Sequence, residues 1–189
     1  SSNNMATKIG VVNGALVLIG DTPINSLIGG SRAQQVANTL YDSIVRSEIT
    51  KHRWGFARTK GQLSLTTEVP IDQEWDSIYQ LPADLLFLIK LYPGINYQIY
   101  GTKVYANNTG PLYCDYIYNA PEAIWPAYFT QMIEFALAKA FATSIRDSSA
   151  SRQEMTNEYI IASRMGRYTD SQQYPMTPIT SNPFVNVRF

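Results

Sequence analysis

The chain has 189 residues, of which 45% are hydrophobic and 16% are charged, and this is enough to build the core of one or two globular domains. Its 15 basic and 15 acidic residues cancel, which argues against a protein that holds nucleic acid or an acidic membrane through its overall charge. Cys114 is the single cysteine, so an internal disulfide is excluded and we expect folding in a reducing compartment.

An apolar helix is predicted from Ile9 to Ile19, and we expect it to be buried on nearly every side because its apolar residues fill two adjacent stripes. The stripes are Ile9, Val12, Leu16 and Ile19, and Val11, Ala15 and Leu18. Gly20 to Pro23 end the helix, since glycine accepts a left-handed cap and proline cannot continue a helix. The run lacks a cleavage site and is too short to cross a bilayer, so neither an export signal nor membrane contact is expected.

A second, amphipathic helix is predicted to begin at Ser31. Ser31 and Gln34 have the spacing of a capping box, in which a hydroxyl and an amide each bond to a free backbone N–H group. Apolar positions then recur with helical spacing, and two large aromatic residues, Trp54 and Phe56, follow the helix. The apolar positions are Ala33, Val36, Ala37, Leu40, Tyr41, Ile44 and Val45.

Between residues 56 and 119 the pattern is that of short strands. They are predicted at residues 56–65, 77–80, 85–92, 97–100, 103–105 and 112–118. Residues 85–92 are continuously apolar, which predicts a buried strand. Gly101-Thr102 fits a two-residue hairpin turn. The segment therefore predicts a small antiparallel sheet inserted between helices.

Tyrosines are concentrated in this segment, at Tyr92, Tyr97, Tyr100, Tyr105, Tyr113, Tyr116 and Tyr118. One interpretation is a small sheet packed on the helices. The other is a protein-binding face, because tyrosine combines apolar contact with hydrogen bonding. The candidate residues for such a face are Tyr97, Tyr100, Tyr105 and Tyr113.

Two more helices are predicted after Pro121. The first starts at Pro126 and ends near Ile145. Ser151 and Glu154 form a second candidate capping box, and the helix that follows is predicted to end near residue 166. Its buried face is predicted to comprise Met155, Tyr159, Ala162 and Met165.

Residues 170–189 do not have the pattern of a domain element. They contain three prolines and would span about 60 Å if fully extended. They fit either a disordered tag or an arm that pairs with another chain. The candidate arm residues are Tyr174, Phe184, Val185, Val187 and Phe189.

Opposite charges are segregated along the chain, with basic residues concentrated in residues 46–60 and acidic residues in residues 68–84. They are either two solvated faces of one monomer or complementary surfaces of a head-to-tail interface, which closes into a ring when the rotation permits. The candidate interface residues are Arg46, Lys51, Arg53, Arg58, Lys60, Asp72, Glu74 and Asp76. On the second interpretation, reversal of Arg53 and Arg58 to Glu blocks ring formation and spares the monomer.

Residue types that support catalysis are sparse. His52 is the single histidine, and its position at a helix end favours a cationic side chain that interacts with the helix dipole. Together with Cys114 it cannot form a zinc site, and no nucleophile motif or phosphate-binding loop accompanies it. We therefore predict no catalytic residue, no metal and no cofactor. The alternative is a glycan hydrolase that uses carboxylates of residues 68–84.

Several short motifs follow one another in a defined order. They are Val12-Asn13-Gly14-Ala15-Leu16, Ile19-Gly20-Asp21-Thr22-Pro23-Ile24-Asn25-Ser26-Leu27, the positions Ala37, Leu40, Tyr41 and Arg46, then Trp54-Gly55-Phe56 and Leu81-Pro82-Ala83-Asp84. In this order and spacing they resemble the tail tubular protein A family, the head-to-tail adaptors (gatekeepers) of short-tailed bacteriophages. The resemblance extends to about residue 167 and is strongest over residues 12–56.

The resemblance implies a structural protein of the virion neck and tail, made in the host cytoplasm, and not an enzyme. On the alternative, the glycan hydrolase would be associated with the phage tail. It implies a dodecameric ring between the portal protein and the tail nozzle protein, with genomic DNA passing through the channel without sequence-specific binding. It also implies that the helices face the portal, that the sheet faces the nozzle and that the C-terminal arm docks on the portal.

The expected fold is mainly α with inserted β. A helical bundle comprises residues 5–56 and 120–168, and an antiparallel β subdomain comprises residues 57–119. Residues 169–189 form the extended C-terminal arm.

Overall fold

The computed structural model describes residues 5–175. Within that range, two pairs of α-helices flank seven strands. The helices are α1 (Lys8–Leu18), α2 (Arg32–Thr50), α3 (Ala127–Ser144) and α4 (Ser149–Gln173). The strands are β1 (Arg58–Gln62), β2 (Ser64–Leu65), β3 (Ser77–Gln80), β4 (Leu85–Tyr92), β5 (Tyr97–Tyr100), β6 (Lys103–Ala106) and β7 (Tyr113–Tyr118). The predicted α+β fold, with strands inserted between helices, is confirmed.

The N-terminal helix pair begins and ends largely as predicted. Gly20 has a positive φ of 76° after α1. The Ser31 hydroxyl accepts a hydrogen bond from Gln34 N–H at 3.2 Å, and the Gln34 side chain accepts one from Ser31 N–H at 3.1 Å, which completes the capping box. The prediction that α1 is buried on nearly every side is wrong, since Val17 and Leu18 are exposed. The helix packs mainly on α3 and leaves these two residues on its outer side.

The strands form two antiparallel sheets instead of one. The three-stranded sheet has the order β1-β7-β4, and the four-stranded sheet has the order β2-β3-β6-β5. Between β1 and β2 the chain changes sheet at Leu63, whose side chain is buried in the core between the two sheets. That core contains residues from both sheets, including Val104, Cys114 and Tyr116. The two sheets therefore pack face to face.

The three-stranded sheet also contacts the helices. Ile117 of β7 lies in the helical core, and Leu86 and Ile89 of β4 pack against it. Register shifts in β4 between Leu85 and Phe87 and between Leu88 and Lys90 let this strand contribute to both cores. The prediction of a fully buried strand is therefore wrong for β4, in which Phe87 is exposed.

The C-terminal helices extend further than predicted. Ser148 caps α4, since its hydroxyl accepts a hydrogen bond from Ser151 N–H at 3.2 Å, so the capping box predicted at Ser151 and Glu154 is wrong. The helix continues to Gln173 instead of ending near Gly166, which places residues 169–173 of the predicted arm in α4. Between residues 5 and 175, no helix combines the length and the apolar character that a membrane span requires.

Candidate interaction surfaces

Asp170 connects the end of α4 to the turn that follows α2. Its carboxylate is only 2% exposed, and it accepts hydrogen bonds from the Gly55 N–H group and from the Tyr128 hydroxyl, the latter at 2.8 Å. Burial and this bond to Asp170 raise the pKa of Tyr128, so the hydroxyl keeps its proton and remains a donor. The turn is thereby fixed between α3 and α4.

Tyr174 packs directly on Gly55. A Cβ atom at Gly55 would lie 2.1 Å from Cγ of the Tyr174 ring, so only glycine allows this approach. Tyr174, predicted as a docking residue of the arm, therefore contacts its own chain. The other predicted arm residues, Phe184, Val185, Val187 and Phe189, lie outside the described residues.

Asp115 lies at the centre of a basic surface on the three-stranded sheet. Its Oδ2 atom accepts hydrogen bonds from Arg58 Nη2 at 2.9 Å and from the Tyr92 hydroxyl at 3.1 Å. Burial would raise the pKa of Asp115, but these two bonds and the nearby Lys60 outweigh it and lower the pKa. Among the described residues, no group donates a hydrogen bond to its buried Oδ1 atom, and Lys60 Nζ lies 3.8 Å away.

Further cations surround Asp115 on the same face of the sheet. The ammonium groups of Lys60 and Lys90 lie 5.0 and 4.5 Å from the centre of the Tyr92 ring. Arg53 lies 5.8 Å from the centre of the Phe87 ring. We call the surface formed by Arg53, Arg58, Lys60 and Lys90 the basic face.

A shallow cavity of about 430 Å³ opens on the basic face. The side chains of Gln62 and Tyr113 share this face with Lys60, since they pair across the strands and alternate with Gly61 and Cys114. The accessible lining is almost entirely apolar. The cavity is lined by Lys60, Gly61, Gln62, Tyr92, Tyr113 and Cys114.

The predicted acidic residues lie on the loop between β2 and β3, which we call the acidic loop (residues 66–76). Glu68 pairs with Lys103, whereas Asp72, Glu74 and Asp76 are exposed and form no salt bridge within residues 5–175. Two branched apolar side chains project among them. Val69 is 84% exposed and Ile71 is 100% exposed. Sequence reasoning did not single out these two residues.

The predicted basic interface residues do not form one surface. Arg46 is exposed on α2. Lys51 pairs with the buried Glu48 at 2.7 Å, so its charge is already neutralised within the chain. Arg58 and Lys60 do come together at the Asp115 carboxylate, Lys90 is paired with Asp115 from β4, and Arg53 lies over Phe87 of the same strand.

The predicted tyrosine face is concentrated at one edge of the four-stranded sheet. All four residues of β5, the edge strand, are exposed, including Tyr97 and Tyr100. Tyr100 contacts Tyr105 of β6 edge to face, with ring centres 4.9 Å apart. Tyr113 is exposed on the other sheet, beside the cavity of the basic face.

Helix α4 carries an exposed apolar surface that sequence patterns did not predict. Ile161, Met165 and Tyr168 are more than half exposed and recur with a spacing of four and then three residues, so they share one side of the helix. Met165 was predicted to be buried, and this is wrong. The other predicted residues, Met155, Tyr159 and Ala162, do pack in or against the helical core, and the buried side of α4 continues through Gly166 and Asp170.

His52 and the buried carboxylate of Glu48 are residue types that occur in catalytic centres, but here both make contacts that stabilise the fold. His52 packs edge-on against Trp54, with ring centres 4.7 Å apart, and burial lowers its pKa. The ring is therefore neutral near pH 7, and the predicted interaction of a cationic His52 with the helix dipole is wrong. Glu48 accepts a hydrogen bond from the Tyr159 hydroxyl at 2.6 Å and pairs with Lys51. These contacts connect α2 to α4.

Two carboxylates of the hydrolase alternative, Asp84 and Glu68, are engaged in contacts within the chain. Asp84 accepts a hydrogen bond from the Tyr116 hydroxyl at 2.9 Å, and burial together with this bond raises the pKa of Tyr116 to about 12. Glu68 is paired with Lys103 on the four-stranded sheet. Within residues 5–175, no cluster of three or more histidine, cysteine, aspartate or glutamate residues could hold a metal ion.

A scan of the sequence against protein-family models matches none, and a search among curated proteins gives no significant match.

Proposed function

We propose that the chain is a head-to-tail adaptor subunit, which assembles into a ring between a portal and a tail nozzle. The observation that supports this best is the presence of two exposed, chemically different surfaces on separate structural units. One is the apolar side of α4, formed by Ile161, Met165 and Tyr168, and the other is the tyrosine-rich strand β5. A bridging protein needs two such surfaces because it must hold both partners at once.

The resemblance of residues 12–56 to head-to-tail adaptors supports the same role and assigns the partners. The helical surface would face the portal, and β5 would face the nozzle. Tyrosine suits the second contact, since its ring supplies apolar area and its hydroxyl bonds to a polar partner. A net charge of zero is consistent with DNA passing through the ring without being held.

Assembly, and not turnover, is the mechanism that this proposal requires. A portal ring offers repeated equivalent sites, and a subunit bound at one site is held next to the subunit at the following site. The effective concentration of neighbouring subunits then becomes high, so that individually weak contacts close a ring. A free subunit can accordingly remain monomeric until it meets the portal.

The experiment that tests this proposal uses one set of variants for each surface. Ile161→Asp/Met165→Asp should abolish co-sedimentation with portal rings, while the adaptor still binds the nozzle protein. Tyr97→Thr/Tyr100→Thr, which keeps a good strand former, should abolish only nozzle binding. Matched controls are Asn157→Asp on α4 and Gln98→Thr on β5, both at exposed positions. If the wild-type chain binds neither partner, the proposed function is wrong.

A further inference from the structure

The basic face and the acidic loop lie on opposite sides of the β-sandwich. Side chains alternate along each strand, and the buried Cys114 and Tyr116 point into the core between the sheets. Asp115 and its cations therefore point away from that core, on the outer side of the three-stranded sheet.

The acidic loop lies on the outer side of the other sheet. In β6, Val104 and Ala106 point into the shared core, so Lys103 points outward. Lys103 forms an ion pair with Glu68, which holds the start of the loop on this outer side. Both sheets thus separate the acidic loop from the basic face, and the two cannot meet within one chain.

We infer that the acidic loop of one copy docks on the basic face of the next copy, and that Ile71 enters the cavity on that face. This inference rests on the proposed ring and names the surfaces that join its subunits. Because the two surfaces are different and point in opposite directions, the contact is heterologous and repeats from copy to copy. The contact therefore runs head to tail from each copy to the next, as a closed ring requires.

The charges of the two surfaces are complementary. Asp72, Glu74 and Asp76 are exposed on the loop, and within residues 5–175 none of them is neutralised by a salt bridge. Arg53 and Lys90 on the basic face likewise form no salt bridge within that range. Pairs of this kind orient an encounter and suppress wrong registers.

The shapes match as well. Ile71 is fully exposed on the acidic loop, where Val69 is the other strongly exposed apolar residue, and the cavity is apolar between Tyr92 and Tyr113. Its volume exceeds that of an isoleucine side chain. Burial of Ile71 there would supply the apolar anchor, and the surrounding charges would form a polar rim, as in other specific interfaces.

Disulfide trapping tests this contact directly. In a Cys114→Ala background, the variant Ile71→Cys/Gln62→Cys has one thiol on the loop and one at the cavity of each copy. Mild oxidation of assemblies on portal rings should give a ladder of covalent multimers in denaturing gels. Each single-cysteine variant should give no ladder, and neither should the control Ile71→Cys/Gln98→Cys, because Gln98 is not on the basic face.

Charge exchange gives an independent result. Asp72→Lys/Glu74→Lys and Arg53→Glu/Lys90→Glu should each abolish ring formation, whereas the four substitutions combined should restore it. A normal adaptor layer on portal rings without a covalent ladder would overturn the inferred contact and leave the proposed function standing. The absence of any adaptor layer with the wild-type chain would overturn both the inferred contact and the proposed function. If the wild-type chain binds duplex DNA, the Arg53→Glu/Lys90→Glu variant does not, and no covalent ladder forms, the basic face is a nucleic-acid surface and the inference is overturned.

Discussion

Both carboxylate oxygens of Asp170 accept hydrogen bonds from the backbone N–H group of Gly55, at 2.9 and 3.1 Å. The two residues are 115 positions apart, so this contact joins the end of the last helix to the turn after α2. It accounts for the continuation of α4 beyond Gly166, and that continuation brings Tyr174 onto residue 55, where only glycine fits. It also fixes the point from which residues 176–189 leave the described fold.

Removal of the Asp170 carboxylate should destabilise the chain. Asp170→Ala leaves the Gly55 N–H group and the Tyr128 hydroxyl without their buried acceptor, so we expect a loss of about 3 kcal/mol in the free energy of unfolding. Asp170→Asn keeps one acceptor oxygen and should cost about half as much. Urea denaturation measures both, with the exposed Ser171→Ala as a control on the same turn. Equal stability of Asp170→Ala and Ser171→Ala would contradict this account.

The packing of Tyr174 on Gly55 predicts coupling between these residues. Gly55→Ala should displace the Tyr174 ring and cost about 1–2 kcal/mol of stability. In a Tyr174→Ala background the ring is absent, so the same substitution should cost almost nothing. A double-mutant cycle by urea denaturation gives the coupling energy. Additive effects would show that the ring does not restrict residue 55.

Reversal of Arg58 and of Arg53 should have different consequences. Arg58 donates a hydrogen bond to the buried Asp115, so Arg58→Glu places two carboxylates together and should cost about 3 kcal/mol. Arg53 lies over the Phe87 ring and forms no salt bridge within residues 5–175, so Arg53→Glu should leave thermal unfolding nearly unchanged. The prediction from sequence that both reversals spare the monomer therefore needs correction for Arg58. Similar melting temperatures for the two variants would argue against the Asp115 pair.

Acid should weaken the fold through Asp115. The pKa of this carboxyl is lower in the folded chain than the value of about 3.9 for a free aspartate. Its contribution to stability is therefore fully present above pH 4 and is lost as the pH falls through the folded pKa. Unfolding free energies at pH 7 and pH 3 should differ less in Asp115→Asn than in the wild type. An identical difference in both proteins would exclude Asp115 as a contributor.

The hypothesis that the C-terminal arm docks on the portal should be tested with a truncation that leaves Tyr174 in place. Deletion of residues 176–189 retains the contact of Tyr174 with Gly55 and should leave the free energy of unfolding unchanged. Under the proposed function the shortened chain should bind portal rings at least tenfold more weakly. Fluorescence-detected sedimentation with labelled adaptor measures the affinity. Unchanged binding would show that the arm does not dock on the portal.

The elements that sequence patterns predicted well are those with a local signal. The capping box at Ser31 and Gln34 depends on spacing within one turn, and the hairpin at Gly101 depends on the single residue that has a positive φ of 63° there. The strands β3, β4 and β5 begin and end at the predicted residues. In each case neighbouring residues specify the conformation.

Contacts between distant residues could not be predicted from pattern. The polar sequence after Gly166 has no apolar periodicity, so the last turns of α4 gave no signal, although Asp170 holds them through Gly55. The division of the strands into two sheets depends on four crossings of the chain between the sheets, the first of them at Leu63, and residue patterns within single strands do not reveal these crossings. The basic face was predicted in part, because Arg53, Arg58 and Lys60 are close in sequence, whereas Lys90 and Asp115 reach it only through strand pairing.

The most direct test of the central claim is negative-stain electron microscopy, combined with sedimentation velocity, on the chain alone and mixed with portal rings of the bacteriophage that is proposed to encode it. The adaptor account predicts a stoichiometric layer of density added to one end of each portal ring, and a matching increase in sedimentation coefficient. A chain that stays monomeric in both samples, with bare portal rings, would contradict the account.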